Sequence, residues 1–490
     1  MTPPSPAPAK RQKLWPVHIE VRVLPAATSR FDTISNAVHA YLTSSLSHLY
    51  LPSTIQGWED VPLLASSIDR IYASESSCPT SSLPIEQASL QIHVYQPSED
   101  DAFEELAGGG RSDGEEAMAA SVCELPSMAW EGLWESLIYA DDVKSKLLDY
   151  IYATVVFSDA DVDFNVVSWN RVVLLHGPPG TGKTSLCRAL AQKLSIRLSH
   201  RYSHARLLEI NSHSLFSRWF SESGKLVQRL FSSIMEMVED EDTFIVVLID
   251  EVESLTAARA GAMAGTEPSD GLRVVNALLT QLDKLKHKKN VLVMSTSNLA
   301  KAIDSAFVDR ADIVQYIDLP PREAIYDILR TCLLELIRKG IIADTDVPSL
   351  VQAQIYERTA VLAQPPLETR QTGQNTSLPL DEIASTVQDS RGRSRDAAIR
   401  LLALSEKCRA QGMSGRSLRR LPVLAHARYI GSLSVLPTRK QAVHMNGKSK
   451  NKRRASGIGL GGGATEVEVW LDAMEKVVES QATERNRLDQ

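Results

Sequence analysis

Apolar residues near the start of the chain recur with two different periods. Residues 17–23 (VHIEVRV) and residues 90–95 (LQIHVY) alternate apolar and polar positions, the pattern of half-buried β-strands. Residues 31–42 (FDTISNAVHAYL) carry apolar positions at helical spacing instead. We therefore predict a small α/β domain over residues 14–97, preceded by a disordered N-terminal segment at 1–13.

The middle of the chain has a different pattern, in which short apolar runs do not alternate. Such runs are typical of parallel strands that are covered by helices on both faces. After residue 320 the spacing becomes helical, and this pattern returns in the last stretch, TEVEVWLDAMEKVVESQATERNRL. The predicted strands are at residues 172–175, 244–249, 291–294 and 313–317.

Polar segments separate these regions and set the predicted domain boundaries. An acidic, Gly-rich stretch suits a flexible linker, and long polar stretches in the second half of the chain suit disordered insertions. We predict a linker at 98–125, a large α/β subdomain at 126–320, and a small helical subdomain at 321–490 with insertions near 361–395 and 437–464.

Composition narrows the possible classes of protein. A chain of 490 residues with 43% hydrophobic content is long enough for two or three domains with buried cores. The net charge of -7 provides no global attraction for nucleic acid. The five cysteines lack metal-ligand spacing, and His18 and His93 lie on the polar side of strands, as exposed or paired histidines do. No apolar run approaches the length of a membrane span, so we expect no membrane association.

A glycine-rich motif links the first apolar run to the helical sequence LCRALAQKL. Residues 177–184 (GPPGTGKT) fit the phosphate-binding pattern G-x-x-x-x-G-K-[ST]. A loop between a strand and a helix directs backbone N–H groups at phosphates, while Lys183 neutralises charge and Thr184 ligates Mg²⁺. The alternative is a Gly-rich turn without a ligand. The candidate residues for ATP binding are Gly177, Pro178, Pro179, Gly180, Thr181, Gly182, Lys183, Thr184 and Ser185.

Two acidic residues follow the second apolar run. The strand at 244–249 ends in Asp250 and Glu251, at the edge of an α/β sheet where ligands bind. Asp250 suits the magnesium shell, and Glu251 suits the general base that activates water. Ordinary solvated acids at a strand end are the alternative, and a solvated or ion-paired role is the one we expect for Glu253.

Two further polar residues follow the next apolar runs. Asn298 comes directly after a strand, where an amide can hydrogen-bond the attacking water or the γ-phosphate, or simply cap a turn. Arg310 stands beside two acids, an arrangement that is usually a surface ion pair. The residues alone leave both alternatives open.

The order of these elements resembles the AAA+ ATPase module, and the match narrows to one family. The stretches NRVVLLHGPPGTGKTSLCRALAQKLSIRLS, INSHSLFSRWFSESGKLV and SGRSLRRLPVLAHARYI resemble the pachytene checkpoint protein 2 family over residues 130–317 and 412–431. This resemblance implies an α/β AAA+ P-loop module with a five-stranded parallel sheet and a helical lid. It also implies a homohexamer that uses ATP and Mg²⁺ to remodel HORMA-domain proteins, often with a HORMA-fold adaptor.

The resemblance also implies roles for four residues. Arg310 becomes the arginine finger that reaches the neighbouring subunit's γ-phosphate, although many AAA proteins have two arginines here and this segment has one. Arg416 matches the sensor-two position, with a basic surface as the alternative. Trp219 and Phe220 match the pore loop. Because neighbouring strand residues point to opposite faces, at least one of this aromatic pair is expected to be exposed, and an anchor to its own domain is the alternative.

A basic run leaves two questions of location and partner open. Residues 439–454 contain seven Lys or Arg and no acid, which fits a flexible loop, a nuclear import signal or a weak contact with DNA. We expect the protein in the nucleus, on chromosomes, with the cytoplasm as a second location, and we expect no direct nucleic-acid binding. The rival classes are a DNA-acting AAA+ ATPase of the clamp-loader or helicase type and a scaffold that binds ATP without hydrolysis.

Overall fold

The structure is a computed structural model. The residues that it describes are 14–99, 104–105, 120–212, 223–254, 270–299, 303–362, 382–431 and 465–488. The chain divides into two units, one formed by residues 1–134, 143–177 and 183–316, and the other by residues 135–142, 178–182 and 317–490. Among the described helices, none has both the length and the apolar character needed to cross a membrane.

The first unit begins with a four-stranded sheet in the order β3-β4-β1-β6, and the predicted N-terminal strands and helix are present. Strand β1 pairs antiparallel with β4 and parallel with β6. Helix α1 buries Ile34, Val38 and Leu42, which recur every four residues on one face. The elements are β1 (Trp15–Val23), α1 (Phe31–Ser45), β2 (His48–Tyr50), β3 (Ser53–Ile55), α2 (Pro62–Ser67), β4 (Ile68–Ser76), β5 (Ser82–Pro84) and β6 (Ala88–Tyr95).

The second sheet of this unit has seven strands in the order β13-β9-β12-β11-β10-β8-β7. The strands are β7 (Glu104–Glu105), β8 (Ala120–Leu125), β9 (Val172–His176), β10 (His204–Asn211), β11 (Thr243–Asp250), β12 (Val291–Ser297) and β13 (Ile313–Tyr316). Neighbours from β13 to β10 are parallel, which confirms the five-stranded parallel sheet. Its helices are α3 (Leu133–Ser136), α4 (Val143–Asp159), α5 (Lys183–Arg197), α6 (Ser223–Val238), α7 (Asp270–Leu285) and α8 (Ser305–Val308).

Strand direction explains how this sheet assembles a site. The central strands β11 and β12 are buried along their length, as their apolar runs predict. Because β9, β11 and β12 are parallel, their carboxyl ends meet at one edge of the sheet. Each of these ends carries one part of the predicted site: the phosphate-binding motif at β9, Asp250 and Glu251 at β11, and Asn298 at β12.

The expected linker at residues 98–125 is wrong at its C-terminal end. Residues 120–125 form β8, which pairs antiparallel with β10 and buries Ala120, Val122 and Leu125. The acidic, Gly-rich composition of the preceding residues hid a short alternating pattern. Pairing with a neighbouring strand, which composition does not record, stabilises this segment within the sheet.

The second unit is helical, as expected of a lid. Its elements are α9 (Arg322–Arg338), α10 (Leu350–Leu362), α11 (Glu382–Ala410), α12 (Gly415–Ala425), a π-helix (His426–Ile430) and α13 (Val467–Leu488). Its core contains the buried side chains of Leu329, Leu401, Leu418 and Trp470.

One of the two predicted insertions is partly wrong. Residues 382–395 belong to α11 rather than to a disordered segment. Their many Ser and Arg residues suggested a chain too polar to pack, but extending a helix from a packed segment costs little once it has been nucleated. The buried Leu401 and Leu402 supply that packed segment. The rest of this insertion at 363–381 and the basic run at 439–454 lie outside the described residues.

Buried charges join the two sheets of the first unit. The Nζ of Lys193 on α5 lies 2.6 Å from Oε1 of Glu20 on β1 and 2.9 Å from the Ser74 hydroxyl. Arg197, one turn further along, pairs with Glu75 on β4. Burial acts to raise the pKa of Glu75, but the two cations outweigh it and hold that pKa below its usual value. Helix α5 therefore connects the phosphate-binding motif at its N-terminus with the N-terminal sheet.

A histidine pair lies beside these charges. His18 Nδ1 and His93 Nε2 are 3.0 Å apart, and the His18 ring stacks on Tyr152. Burial, followed by the charge of Arg197, lowers the pKa of His18 to about 4. Burial and the neighbouring His18 lower the pKa of His93 to about 3. The two rings are paired with each other, one of the two arrangements that the sequence predicts.

Candidate nucleotide-hydrolysis site

The predicted lysine of the phosphate-binding motif lies at the start of α5, close to the end of β9. Lys183 is the first residue of α5 and only 5% exposed. Its Nζ donates to the carbonyl oxygen of Gly177 at 2.8 Å, while the Gly177 N–H donates to the carbonyl of Ser297 on β12. Thr184 and Ser185 follow in the first helical turn, where unpaired N–H groups favour an anion. The lysine charge therefore lies at a helix N-terminus beside the sheet edge.

The remainder of the phosphate-binding loop belongs to the second unit, where it contacts the start of α12. The N–H of Arg416 donates to the carbonyl of Gly180 at 3.1 Å, and the Thr181 hydroxyl donates to the carbonyl of Pro178. Gly180 has φ +79°, and a Cβ there would lie 2.6 Å from the Ser414 hydroxyl oxygen. This position therefore requires glycine both for its backbone conformation and for its close approach to Ser414.

Arg416 lies at the start of α12 in the second unit, and its sensor-two role stays a prediction. The side chain of Arg416 is exposed in the first turn of α12. Gly182 of the loop has φ +91°, and its carbonyl accepts a hydrogen bond from the Tyr139 hydroxyl at 3.4 Å. Tyr139 lies between α3 and α4. Its side chain thus packs against the backbone of the phosphate-binding loop.

A threonine and an aspartate in the first unit form a candidate magnesium site. The Thr184 hydroxyl donates to Asp250 Oδ1 at 2.9 Å. Hydroxyl and carboxylate oxygens are the hard donors that Mg²⁺ prefers, and Mg²⁺ commonly uses only one or two protein ligands. The side chains present therefore fit this ion.

The side chains of Glu251 and Asn298 lie close together, as their predicted roles require. Asn298 Nδ2 lies 3.5 Å from Glu251 Oε1. The Asn298 N–H donates to Glu253 Oε1 at 3.1 Å, so Glu253 holds the backbone of the asparagine. The sequence predicts a solvated or ion-paired Glu253, but its second carboxylate oxygen is buried.

Sequence reasoning missed three residues that support this site: Glu253, Thr296 and Ser212. Thr296 precedes Asn298 by two positions, the spacing at which residues of a strand share a face. That spacing was the available signal for Thr296. Ser212, directly after β10, gave no signal because its hydroxyl lies against the backbone carbonyls of Asp250 and Glu251, which are distant in sequence.

Arg310 is held in place by its own subunit. Its Nε and Nη2 each lie 2.9 Å from a carboxylate oxygen of Asp283, and its Nη1 donates to the carbonyl of Ala306. These hydrogen bonds raise its pKa further above the usual value. Reaching a neighbouring subunit stays a prediction for Arg310. Trp219 and Phe220 lie outside the described residues.

Profiles of known protein families match the part of the chain that contains this site. The profile of the ATPase family associated with various cellular activities (AAA) matches residues 173–319, the part of the chain that holds the lysine, both strand-end acids and Asn298. The protein is therefore an AAA+ ATPase that binds nucleotide. The TRIP13 N-terminal domain profile matches residues 12–100, and the TRIP13-like AAA+ ATPase lid C-terminal domain profile matches residues 321–442.

Whole-chain relatives narrow the class to one family. The pachytene checkpoint protein 2 homolog of Gallus gallus is 49% identical over 361 residues, which cover 73% of this chain and 74% of the relative. The homolog of Oryza sativa subsp. indica is 44% identical over 431 residues, which cover 87% of this chain and 85% of that relative. The structure of C. elegans PCH-2 is similar with a TM-score of 0.63 at 29% identity, covering 96% of this chain and all of that one. The chain belongs to the pachytene checkpoint protein 2 family.

Proposed function

We propose that this ATPase remodels HORMA-domain proteins, converting their closed, partner-bound state to an open state and removing them from complexes. It acts in control of the meiotic chromosome axis and recombination checkpoint, and in silencing of the spindle checkpoint. Family membership supports the client. The contact between Glu251 and Asn298, beside the Thr184–Asp250 pair, is the observation that supports hydrolysis as the energy source.

The side chains at the sheet edge divide the work of hydrolysis. Lys183 neutralises phosphate charge at the N-terminus of α5. Glu251 accepts a proton from the attacking water, and Asn298 orients either that carboxylate or the water. Thr184 and Asp250 would hold Mg²⁺, which supplies charge neutralisation on the phosphate oxygens when bound. An amide beside a carboxylate fixes the base without changing its charge.

A homohexameric ring completes each site from a neighbour. Arg310 reaches the adjacent subunit's γ-phosphate, a role in which an arginine contributes about 10³ to 10⁵ in rate. Because Asp283 holds Arg310 by two hydrogen bonds, the guanidinium is ordered before it meets a neighbour. Arg416 couples hydrolysis to movement of the lid.

Substrate handling and location complete the proposal. Trp219 and Phe220 grip an unfolded stretch of the client by stacking and apolar contact, which tolerate many sequences. A HORMA-fold adaptor presents the client to the N-terminal domain. The protein acts on chromosomes in the nucleus, with the cytoplasm as a second location, and needs no direct contact with nucleic acid.

Stimulation of ATP hydrolysis by candidate partners tests this function. Phosphate release by the full chain is measured with a closed HORMA-domain protein, with that protein plus a HORMA-fold adaptor, and with duplex DNA. We expect the HORMA-domain protein, alone or with the adaptor, to raise kcat and DNA to leave it unchanged. Stimulation by DNA alone would favour the clamp-loader or helicase class, and no turnover under any condition would favour the scaffold.

A further inference from the structure

One threonine contacts three consecutive residues at the catalytic end of β11. Thr296 is 2% exposed on β12. Its hydroxyl donates to Asp250 Oδ1 and accepts the Glu251 N–H at 3.2 Å. Its backbone carbonyl accepts the Val252 N–H at 2.9 Å. A single residue of the neighbouring strand therefore fixes the chain before, at and after the general base.

The backbone of the base needs such support. Glu251 has φ +58°, in the left-handed region that a residue with a Cβ rarely adopts. Non-glycine residues persist there only when surrounding contacts hold them. On the carbonyl side of Glu251, the hydroxyls of Ser212 and Ser254 each lie 2.9 Å from its oxygen. Thr296 supports the N–H side, so hydroxyl groups hold the backbone of Glu251 on both sides of its Cα.

The left-handed turn has a catalytic consequence. Neighbouring residues in a regular strand point to opposite faces of the sheet, which would separate Asp250 from Glu251. Because the chain turns at Glu251, its carboxylate lies near Asn298 while Asp250 stays beside Thr184. Both acids therefore serve the same edge.

We propose that Thr296 is a positioning residue for ATP hydrolysis, whose hydroxyl fixes the relative orientation of Asp250 and Glu251. This role requires a group that donates and accepts at once, which a hydroxyl does and a methyl does not. Valine fills nearly the same volume but removes this acceptor for the Glu251 N–H. Serine keeps the hydroxyl and removes only the methyl group.

Two substitutions separate the hydroxyl from the packing of the side chain. Steady-state ATPase kinetics and equilibrium binding of a fluorescent ATP analogue are measured for Thr296→Val and Thr296→Ser in the full chain. We expect Thr296→Val to lower kcat about tenfold to a hundredfold, the range in which misplaced catalytic groups act. Nucleotide affinity should change less than about threefold, because the lysine and the loop are untouched. Thr296→Ser should retain most of the wild-type kcat.

Thr243 provides the matched control for loss of a buried hydroxyl. It lies at the opposite end of β11 and is 5% exposed, and its hydroxyl bonds to Asp240. Thr243→Val should leave kcat unchanged. The proposal is overturned if Thr296→Val keeps kcat within about twofold, if Thr296→Ser is as slow as valine, or if nucleotide affinity falls as far as kcat.

A second variant covers a failure of Thr296→Val to fold, which a thermal melt would reveal. Ser212→Ala removes a hydroxyl from the other side of Glu251 without introducing a branched side chain. We expect kcat to fall at least about fivefold, with affinity retained. In that case, an unchanged kcat for Ser212→Ala would overturn the idea that hydroxyl groups hold this turn.

Discussion

Replacing Lys193 by Met tests how the N-terminal sheet is attached to the ATPase sheet. The substitution keeps most of the side-chain length and removes one buried charge. Lys193 and Glu20 have side chains that are 3% and 7% exposed, so neither charge is solvated by bulk water. Arg197 Nε remains 3.8 Å from Glu20 after the substitution.

The expected loss of stability comes from the burial of the Glu20 charge rather than from its attraction to Lys193. At 2.6 Å and an effective dielectric of about 20, the attraction is about 6 kcal/mol. The desolvation of two ions offsets much of it, so the intact pair adds little net stability. Removing one partner leaves the desolvation of Glu20 in place, which typically costs about 3–5 kcal/mol. Because Arg197 compensates in part, we expect about 3 kcal/mol.

Hydrogen exchange measures this change where it occurs. Exchange of the β1 amides in the full chain reports local opening of the N-terminal sheet. A loss of about 3 kcal/mol corresponds to roughly a hundredfold faster exchange. The double variant Lys193→Met with Glu20→Leu should return to within about 1 kcal/mol of wild type, since no unpaired charge remains.

An exposed ion pair of equal length provides the control. Lys288 and Glu239 are also 2.6 Å apart, but their side chains are 29% and 68% exposed. Lys288→Met should cost less than about 0.5 kcal/mol. A cost for Lys193→Met no greater than that for Lys288→Met, or a double variant less stable than Lys193→Met alone, would contradict a cost set by the burial of Glu20.

Three other predictions concern pH, the arginine finger and the loop glycine. The pKa values of His18 and His93 are lowered to about 4 and about 3, so only the unfolded state takes up protons below pH 6.5. The free energy of unfolding should be at its full value above pH 6.5 and should fall by about 2 kcal/mol per histidine by pH 5. Urea unfolding at pH 7.5 and at pH 5 measures this difference, and unfolding midpoints that do not depend on pH would contradict the prediction. Arg310→Ala should lower kcat about 10³-fold with ATP affinity retained, measured by phosphate release and nucleotide binding; a loss under tenfold would contradict a finger role. Gly180→Ala should raise KM for ATP about tenfold, whereas Gly340→Ala, with φ +71° but nothing within 4 Å, should leave KM unchanged.

Strand direction made much of the site predictable from sequence. The continuous apolar runs identify parallel strands, and parallel strands bring their carboxyl ends together. That is sufficient to place Asp250, Glu251 and Asn298 at one edge with Lys183 nearby. No knowledge of side-chain contacts was needed for this step.

Contacts that depend on register or on a second domain were not predictable. Thr296 reaches Glu251 because β11 and β12 pair with Ile249 opposite Ser295, and the sequence does not state that register. Lys193 is a charged helix residue, so the sequence suggests that its side chain is exposed to solvent. In the structure, the N-terminal sheet covers this side chain. Strand β8 escaped prediction because its pairing with β10, rather than its own composition, stabilises it.

The most direct test of the central claim measures the conversion of a closed HORMA-domain protein to its open form. Ion-exchange chromatography monitors this conversion while phosphate release is measured in parallel. The wild-type chain with ATP should produce the open form, and Glu251→Gln should bind ATP and client without producing it. Equal conversion by Glu251→Gln, or none by a wild-type chain that hydrolyses ATP with client and adaptor present, would contradict the account.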